Sequence, residues 1–267
     1  MSRAPVAVSI AGSDSGGGAG IQADLKTFSA NGVYGASVLT ALTAQNTVGV
    51  QAIHDVPPAF ITAQIDSVFS DIAVDAVKIG MLSQPAVIEA VSKGLERHAA
   101  RNIVLDPVMV ATSGDRLLAD GAVTALKRHL IPCAALITPN LPEAAALLDV
   151  PVAQTEAEME AQARALLALG ARAVLIKGGH GAGPEAIDLL VTTQGIMRLA
   201  SPRTATRNTH GTGCTLSAAI AANLAKGGTL EQAVRAAKSY VSAAIAAADR
   251  LGVGHGHGPT HHFHAWW

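Results

Sequence analysis

The sequence predicts one three-layer α/β/α domain with a mostly parallel central sheet. Short runs of Val, Ile, Leu and Ala alternate along the chain with longer amphipathic stretches. The runs are continuous rather than alternating, as strands are when helices cover both faces of a parallel sheet. The 267 residues are enough for one large core. Linkers, internal repeats and a second core are not evident, so a single domain is expected over residues 1–267. Abundant alanine and glycine with few aromatic residues predict helices packed tightly on the sheet.

Composition excludes several classes. The 19 Lys+Arg nearly cancel the 20 Asp+Glu, and no basic block points to nucleic acid. No apolar run is long enough to span a membrane. The apolar part of "MSRAPVAVSIAG" is too short for a signal peptide and leads straight into a strand. Cys133 and Cys214 are far apart and do not read as a disulfide framework. The expected compartment is the cytoplasm, where Cys214 would be a free thiol.

The elements follow in order. The first strand, 6–10, ends in "AGSDSGGGAGIQADLKTF" (11–28), a glycine-rich loop that runs into a helix at 22–29. No Gly-Lys-Ser/Thr closes it, so it is not a Walker loop. Residues 18–23 fit a G-x-G-x-x-A pattern, but no acidic residue ends the next strand to hold a ribose, and dinucleotide binding is rejected. Such glycines either permit close helix–sheet packing or let the loop backbone approach a small ligand, with Asp24 as a polar contact one turn into the helix. The second strand, 37–42, belongs to the segment that ends in "TALTAQNT", where Gln45 stands at the strand end. A carboxamide there is usually a surface group. It also offers a donor beside an acceptor, which matches the amidine-like edge of an aminopyrimidine. Residues 47–55 are expected to form a small excursion beside the main sheet, and a helix follows at 58–69.

Strands at 76–79 and 103–105 lead into "KIGML" (78–82) and "LDPVMVATSG" (105–114), with helices at 85–99 and 119–130. Asp106 is either a cap or a site acid. Met81, Val108 and Met109, taken alone, read as core. A strand at 134–137 opens "TPNLPEAAALL" (138–148), where Asn140 and Glu143 flank a strand-to-helix turn. They could cap that helix or hold Mg²⁺ through water. A helix at 156–169 and a strand at 174–176 lead to Lys177 in "LIKGGHG" (175–181), which is either a solvated loop lysine or a phosphate ligand. After a strand at 189–191 comes "HGTGCTLS" (210–217), where two glycines and a threonine open a helix at 215–226. Backbone N–H groups at such a turn favour an anion. The helix dipole there is expected to favour a thiolate at Cys214. A helix at 230–248 precedes "GHGHGPTHHFHAWW", expected to be loop-like with surface histidines.

Taken together, these motifs resemble the hydroxymethylpyrimidine/phosphomethylpyrimidine kinases of thiamine biosynthesis, members of the ribokinase-like superfamily. The segments "AGSDSGGGAGIQADLKTF", "TALTAQNT", "KIGML", "LDPVMVATSG", "TPNLPEA", "IKGGH" and "NTHGTGCTLSAAIA" carry the resemblance in order. It implies a ribokinase-like fold, ATP and Mg²⁺ as cofactors, and a homodimer. It implies phosphorylation of 4-amino-5-hydroxymethyl-2-methylpyrimidine and then of its monophosphate, with neither nucleic acid nor membrane as partner. The implied pyrimidine site is Gly12, Asp24, Gln45, Met81 and Val108. Gly211, Thr212 and Gly213 would form the anion hole, with Cys214 in the place of the catalytic base. Asp106, Asn140 and Glu143 would serve Mg²⁺, and Lys177 and Thr212 the nucleotide phosphates. A pyridoxal kinase, or a kinase of both rings, is the nearest rival. Relatives of that kind carry a second cysteine, absent from "PVMVATSG" (107–114). A non-catalytic pyrimidine sensor would keep Gln45 and Met81 but lose the phosphate turn, Glu143 or Cys214, and all of these are present.

Overall fold

The computed structural model describes residues 3–109, 119–179 and 183–267. In chain order its strands are β1 (Val6–Ala11), β2 (Tyr34–Leu39), β3 (Ala41–Gln45), β4 (Val50–Asp55), β5 (Ala76–Ile79), β6 (Ile103–Leu105), β7 (Leu136–Ile137), β8 (Ala173–Lys177), β9 (Glu185–Thr192) and β10 (Ile196–Pro202). The helices are α1 (Gly20–Ala30), α2 (Pro58–Asp71), α3 (Pro85–Arg97), α4 (Ala122–Ala125, continued by a π turn to Leu130), α5 (Leu141–Leu148), α6 (Glu156–Leu167), α7 (Thr212–Ala225) and α8 (Leu230–Ala246).

Eight strands form the main sheet in the order β10-β9-β8-β7-β6-β5-β1-β2. Pairing is parallel from β2 across to β8, and β9 and β10 add antiparallel strands at one edge. The continuous apolar strands are explained by two cores. Val8, Val77, Ile103, Leu105, Ile137 and Ile176 face one core with α2, α3, α5 and α6. Ala7, Ala76, Val104, Leu136 and Leu175 face the other with α1, α7 and α8. Successive side chains point to opposite faces and both faces are buried, so no polar alternation survives. On the second face, small residues meet small residues: Ala7 and Ala76 against Ala218, Ala219, Ala221 and Ala222 of α7. That close approach sets the first turn of α7 beside the carboxyl ends of β1, β5 and β6.

Three expectations are corrected. The second strand lies at Tyr34–Leu39 rather than 37–42, and Gln45 ends β3 instead. The chain leaves the main sheet at Thr40, whose N–H still donates to Ala11 O. It then forms an antiparallel flap of β3 and β4, the excursion expected near 47–55, with a bulge at Ala44/Gln45. Tyr34 and Gly35 escaped notice because an edge strand needs no apolar run. For the same reason β10, with mostly exposed or half-buried residues, carried no strand signal. The C-terminal segment lacks helix and strand as expected, but His261 and His262 are buried, not on the surface. His261 N–H donates to Ala244 O, and Tyr240 Oη donates to His262 O at 2.6 Å.

Candidate active site

A cavity of about 950 Å³ opens at the carboxyl ends of the parallel strands, where Gly12, Met81, Asp106, Asn140 and Lys177 follow or end β1, β5, β6, β7 and β8. The first turn of α7 and Gln45 of the flap complete its rim. Ligands bind at this end of such sheets because the loops and the helix N-termini converge there.

The ring-sized end is apolar. Gln45, Met81, Val108 and Met109 line it; Met81 and Val108 are half-buried cavity wall rather than core, and only Met109 also belongs to the core. A Cβ on Gly12 would lie 2.5 Å from Met81 Cε, so Gly12 lets this methionine close on the cavity. The Gln45 carboxamide lies 3.1 Å from Thr43 Oγ1, whose one proton also reaches Ser13 O at 2.9 Å; the contact orients the carboxamide, and its amide nitrogen can donate to a ligand. Asp24 is corrected: it does not line the cavity. It is fully buried beneath it, accepting from Lys78 Nζ at 2.8 Å and Ser9 Oγ at 2.6 Å. Its Oδ1 has no hydrogen-bond partner among the described residues. Burial disfavours the Lys78 ammonium, but Asp24, with Asp106, outweighs it and keeps the lysine charged.

The polar end gathers Asp106, Thr138, Glu143, Lys177 and the turn before α7. Lys177 Nζ donates to Asp106 Oδ1 at 2.7 Å and stands 3.9 Å from Glu143 Oε2. Thr138 Oγ1 and Ser217 Oγ also donate to Asp106. Burial works against ionisation of Asp106, but Lys177 and Lys78 hold its carboxyl below the usual range. Asn140 and Glu143 form a reciprocal capping box on α5, with both hydrogen bonds at 2.8 Å. The capping interpretation therefore holds, and both side chains also line the cavity. Burial raises the Glu143 carboxyl to about 7, against the pull of Lys177.

Gly211 caps α7 with φ +77°, and a Cβ there would overlap Gly18 O of the glycine-rich loop. The same region is tied by an unforeseen pair: Asp14 Oδ2 lies 2.9 Å from His210 Nε2 and accepts from Gly18 and Ala19 N–H. The glycines of this loop thus serve close packing against the turn before α7. Thr212 N–H and Oγ1 both go to Thr209 O, leaving Gly213 and Cys214 N–H as the outward first-turn donors. A Cβ at Gly213 would lie 3.3 Å from Lys177 Nζ, so the turn faces the lysine directly. The expected thiolate at Cys214 is corrected: burial raises the thiol to about 11, and Asp24 and Asp106 add to this against Lys78.

The structure unites the predicted residues except Asp24, which lies one layer down. Residues 110–114 of "LDPVMVATSG" and 180–181 of "LIKGGHG" lie outside the described residues. Sequence reasoning missed Asp14, Lys78, Thr138, His210 and Ser217. Lys78 had a visible signal, a charge inside the apolar strand run "AVKI". Among the described residues no three His, Cys, Asp or Glu side chains are close enough to cage a metal. Asp106 and Glu143 nevertheless suit Mg²⁺, which binds few protein oxygens and keeps its waters. Two carboxylates share one lysine, and a cation would supply the missing charge.

A helix N-terminal turn set against a lysine and an aspartate at the carboxyl end of such a sheet is an arrangement suited to phosphoryl transfer, and it marks the class as a kinase. The chain belongs to the phosphomethylpyrimidine kinase family, whose model matches residues 14–261. It is 61% identical over 262 residues to a hydroxymethylpyrimidine/phosphomethylpyrimidine kinase of Rhizobium meliloti, covering 98% of each chain. A phosphomethylpyrimidine kinase structure from Clostridium difficile superposes with a TM-score of 0.80 at 44% identity, covering 90% of this chain and 99% of that one. The pyridoxal kinase of Staphylococcus aureus, solved with ADP, gives a TM-score of 0.91 at 32% identity, covering 99% and 96%.

Proposed function

We propose that this enzyme uses ATP to phosphorylate 4-amino-5-hydroxymethyl-2-methylpyrimidine, and then the resulting monophosphate, as a step of thiamine biosynthesis. The observation that carries this is the single cavity with Gln45, Met81 and Val108 at one end and the Gly213 turn facing Lys177 at the other. That spacing sets a flat polar ring beside a phosphate site. Gln45 donates from its amide to the ring edge, while Met81, Val108 and the backbone at Gly12 close on the ring faces. Asp24 acts from beneath by holding Lys78 in place.

Phosphoryl transfer asks for positioning and charge neutralisation more than covalent help. The N–H groups of Gly213 and Cys214 meet the charge on the transferring phosphate, with Gly211 and Thr212 shaping the turn. Lys177 binds the nucleotide phosphates. Mg²⁺ held by Asp106, Glu143 and Asn140, directly or through water, would neutralise phosphate charge. Cys214 receives the proton of the substrate hydroxyl, and the Lys78 ammonium favours the thiolate that can do so. We further propose a cytoplasmic homodimer; no described helix is long and apolar enough to cross a membrane.

The test supplies purified protein with ATP and, separately, the pyrimidine alcohol, its monophosphate and pyridoxal, and follows ADP. Turnover of both pyrimidines is the expected result. Turnover of pyridoxal alone would overturn the reading in favour of the vitamin B6 kinase.

A further inference from the structure

The C-terminal segment from Gly254 to His262 has no part in the site described above, yet it touches both ends of it. Gly256 N–H donates to Thr47 Oγ1 at 3.2 Å, and His257 N–H to Thr47 O at 2.9 Å. Thr47 sits in the turn of the flap, two residues beyond Gln45. Further along, Gly258 N–H donates to Asn208 Oδ1 at 3.0 Å. His210 N–H donates to Gly258 O at 3.0 Å and Thr260 N–H to His210 O at 3.3 Å, like one rung of a parallel ladder just before Gly211. At the far end His262 Nε2 lies 3.1 Å from Thr215 Oγ1, and that hydroxyl donates to Gly211 O at 2.8 Å. Thr215 directly follows Cys214.

The approach is as close as backbones allow. A Cβ at Gly256 would overlap Thr47 O, and one at Gly258 would overlap Asn208 Oδ1. The flap needs such an anchor. Among the described residues it shares no ladder with the main sheet; Ser13 and Ser15 hold its strand β3, Ser83 holds Asp55 of β4, and the strap holds its tip.

We propose that residues 254–262 are a strap that fixes the ring end of the cavity relative to its phosphate turn, with Thr47 and His262 as positioning residues at its two ends. The inference rests on the function proposed above. Neither residue touches substrate, so each acts through a neighbour: Thr47 through the flap that carries Gln45, and His262 through Thr215 and the Gly211 carbonyl.

The two ends predict separable kinetics. Thr47→Val removes the acceptor for Gly256 with little change of shape. It should raise KM for the pyrimidine by roughly 2- to 12-fold, the range one neutral hydrogen bond carries, with kcat and the KM for ATP unchanged. Thr47→Ser should restore the wild-type value. His262→Leu should lower kcat by a similar factor and leave the pyrimidine KM alone. Thermal melts establish that each variant is folded; if His262→Leu is not, the Thr47 pair decides by itself. Unchanged KM in Thr47→Val, or a loss in every parameter that tracks the folded fraction, would overturn the strap. Wild-type protein that phosphorylates neither pyrimidine would instead strike the function on which it rests.

Discussion

Lys177 stands as one ammonium between two buried carboxylates, 2.7 Å from Asp106 Oδ1 and 3.9 Å from Glu143 Oε2. The pair with Asp106 is nearly closed to solvent, with side chains 13% and 1% exposed. Removing one partner of such a pair leaves an uncompensated charge, at a cost of about 3 to 5 kcal/mol. Lys177→Met should lower the melting temperature and cut turnover by roughly 10² to 10³-fold, as the loss of one preorganised charge does. Lys177→Arg should restore little activity, because a planar fork does not replace a point charge. Near-normal turnover in Lys177→Met would remove the lysine from the phosphate site.

With Glu143 in the proposed Mg²⁺ site, cation binding should depend on pH near neutrality. Its carboxyl titrates at about 7, because burial favours the protonated form. A cation needs the ionised form, so apparent Mg²⁺ affinity should rise with pH through that range, by about tenfold between pH 6 and pH 8. Glu143→Gln should lose this dependence and bind Mg²⁺ more weakly at pH 8. Calorimetric titration of Mg²⁺ into the protein with a non-hydrolysable ATP analogue measures both. An identical slope in the variant would place the titration elsewhere.

Cys214 should matter more for the first phosphorylation than for the second. The first nucleophile is an alcohol that must lose a proton, and a base contributes typically 10² to 10⁴-fold. The second is a phosphate already largely ionised at neutral pH, since its second pKa is about 6. Cys214→Ala should slow the alcohol step by roughly 10²-fold and the monophosphate step far less. With the thiol at about 11, the active thiolate is a minor species at neutral pH. The alcohol step should then quicken about tenfold per pH unit between pH 7 and pH 9, and Cys214→Ala should abolish that slope. Equal losses in both steps would mean that Cys214 only positions groups.

Gln45→Leu should weaken pyrimidine binding selectively. Thr43 Oγ1 orients the carboxamide, and its amide nitrogen is the donor proposed for the ring. Losing that contact and leaving a ring acceptor unpaired costs about 1 to 3 kcal/mol, while ATP binding stays as it was. Calorimetry with each ligand separates the two. A variant that binds the pyrimidine like wild type would take Gln45 out of ring recognition.

Much of this was legible in the amino-acid sequence because it is written locally. Continuous Val/Ile/Leu runs announce strands buried on both faces, and they marked β1, β5, β6 and β8 closely. The glycine-bounded turn at 211–213, the Asn140–Glu143 cap and the lysine ending β8 are each visible within a few residues. What stayed hidden lies at edges and in long-range pairs. β2 and β10 are edge strands without an apolar signature, and the flap separates from the main sheet at Thr40 without any break in composition.

The sequence by itself determined the layered fold, the kinase class and a set of candidate residues of which all but Asp24 meet in the cavity. Those properties follow from periodicity, from turn chemistry and from which donors and acceptors a residue type can offer. Only the tertiary structure decided their electrostatic state and their support. It sank Asp24 beneath Lys78, moved Cys214 from an expected thiolate to a thiol at about 11, brought Asp14 onto His210 across 196 residues, and buried His262 behind the phosphate turn. Burial and through-space charge depend on which distant segments pack together, and no local pattern of side chains encodes that distance.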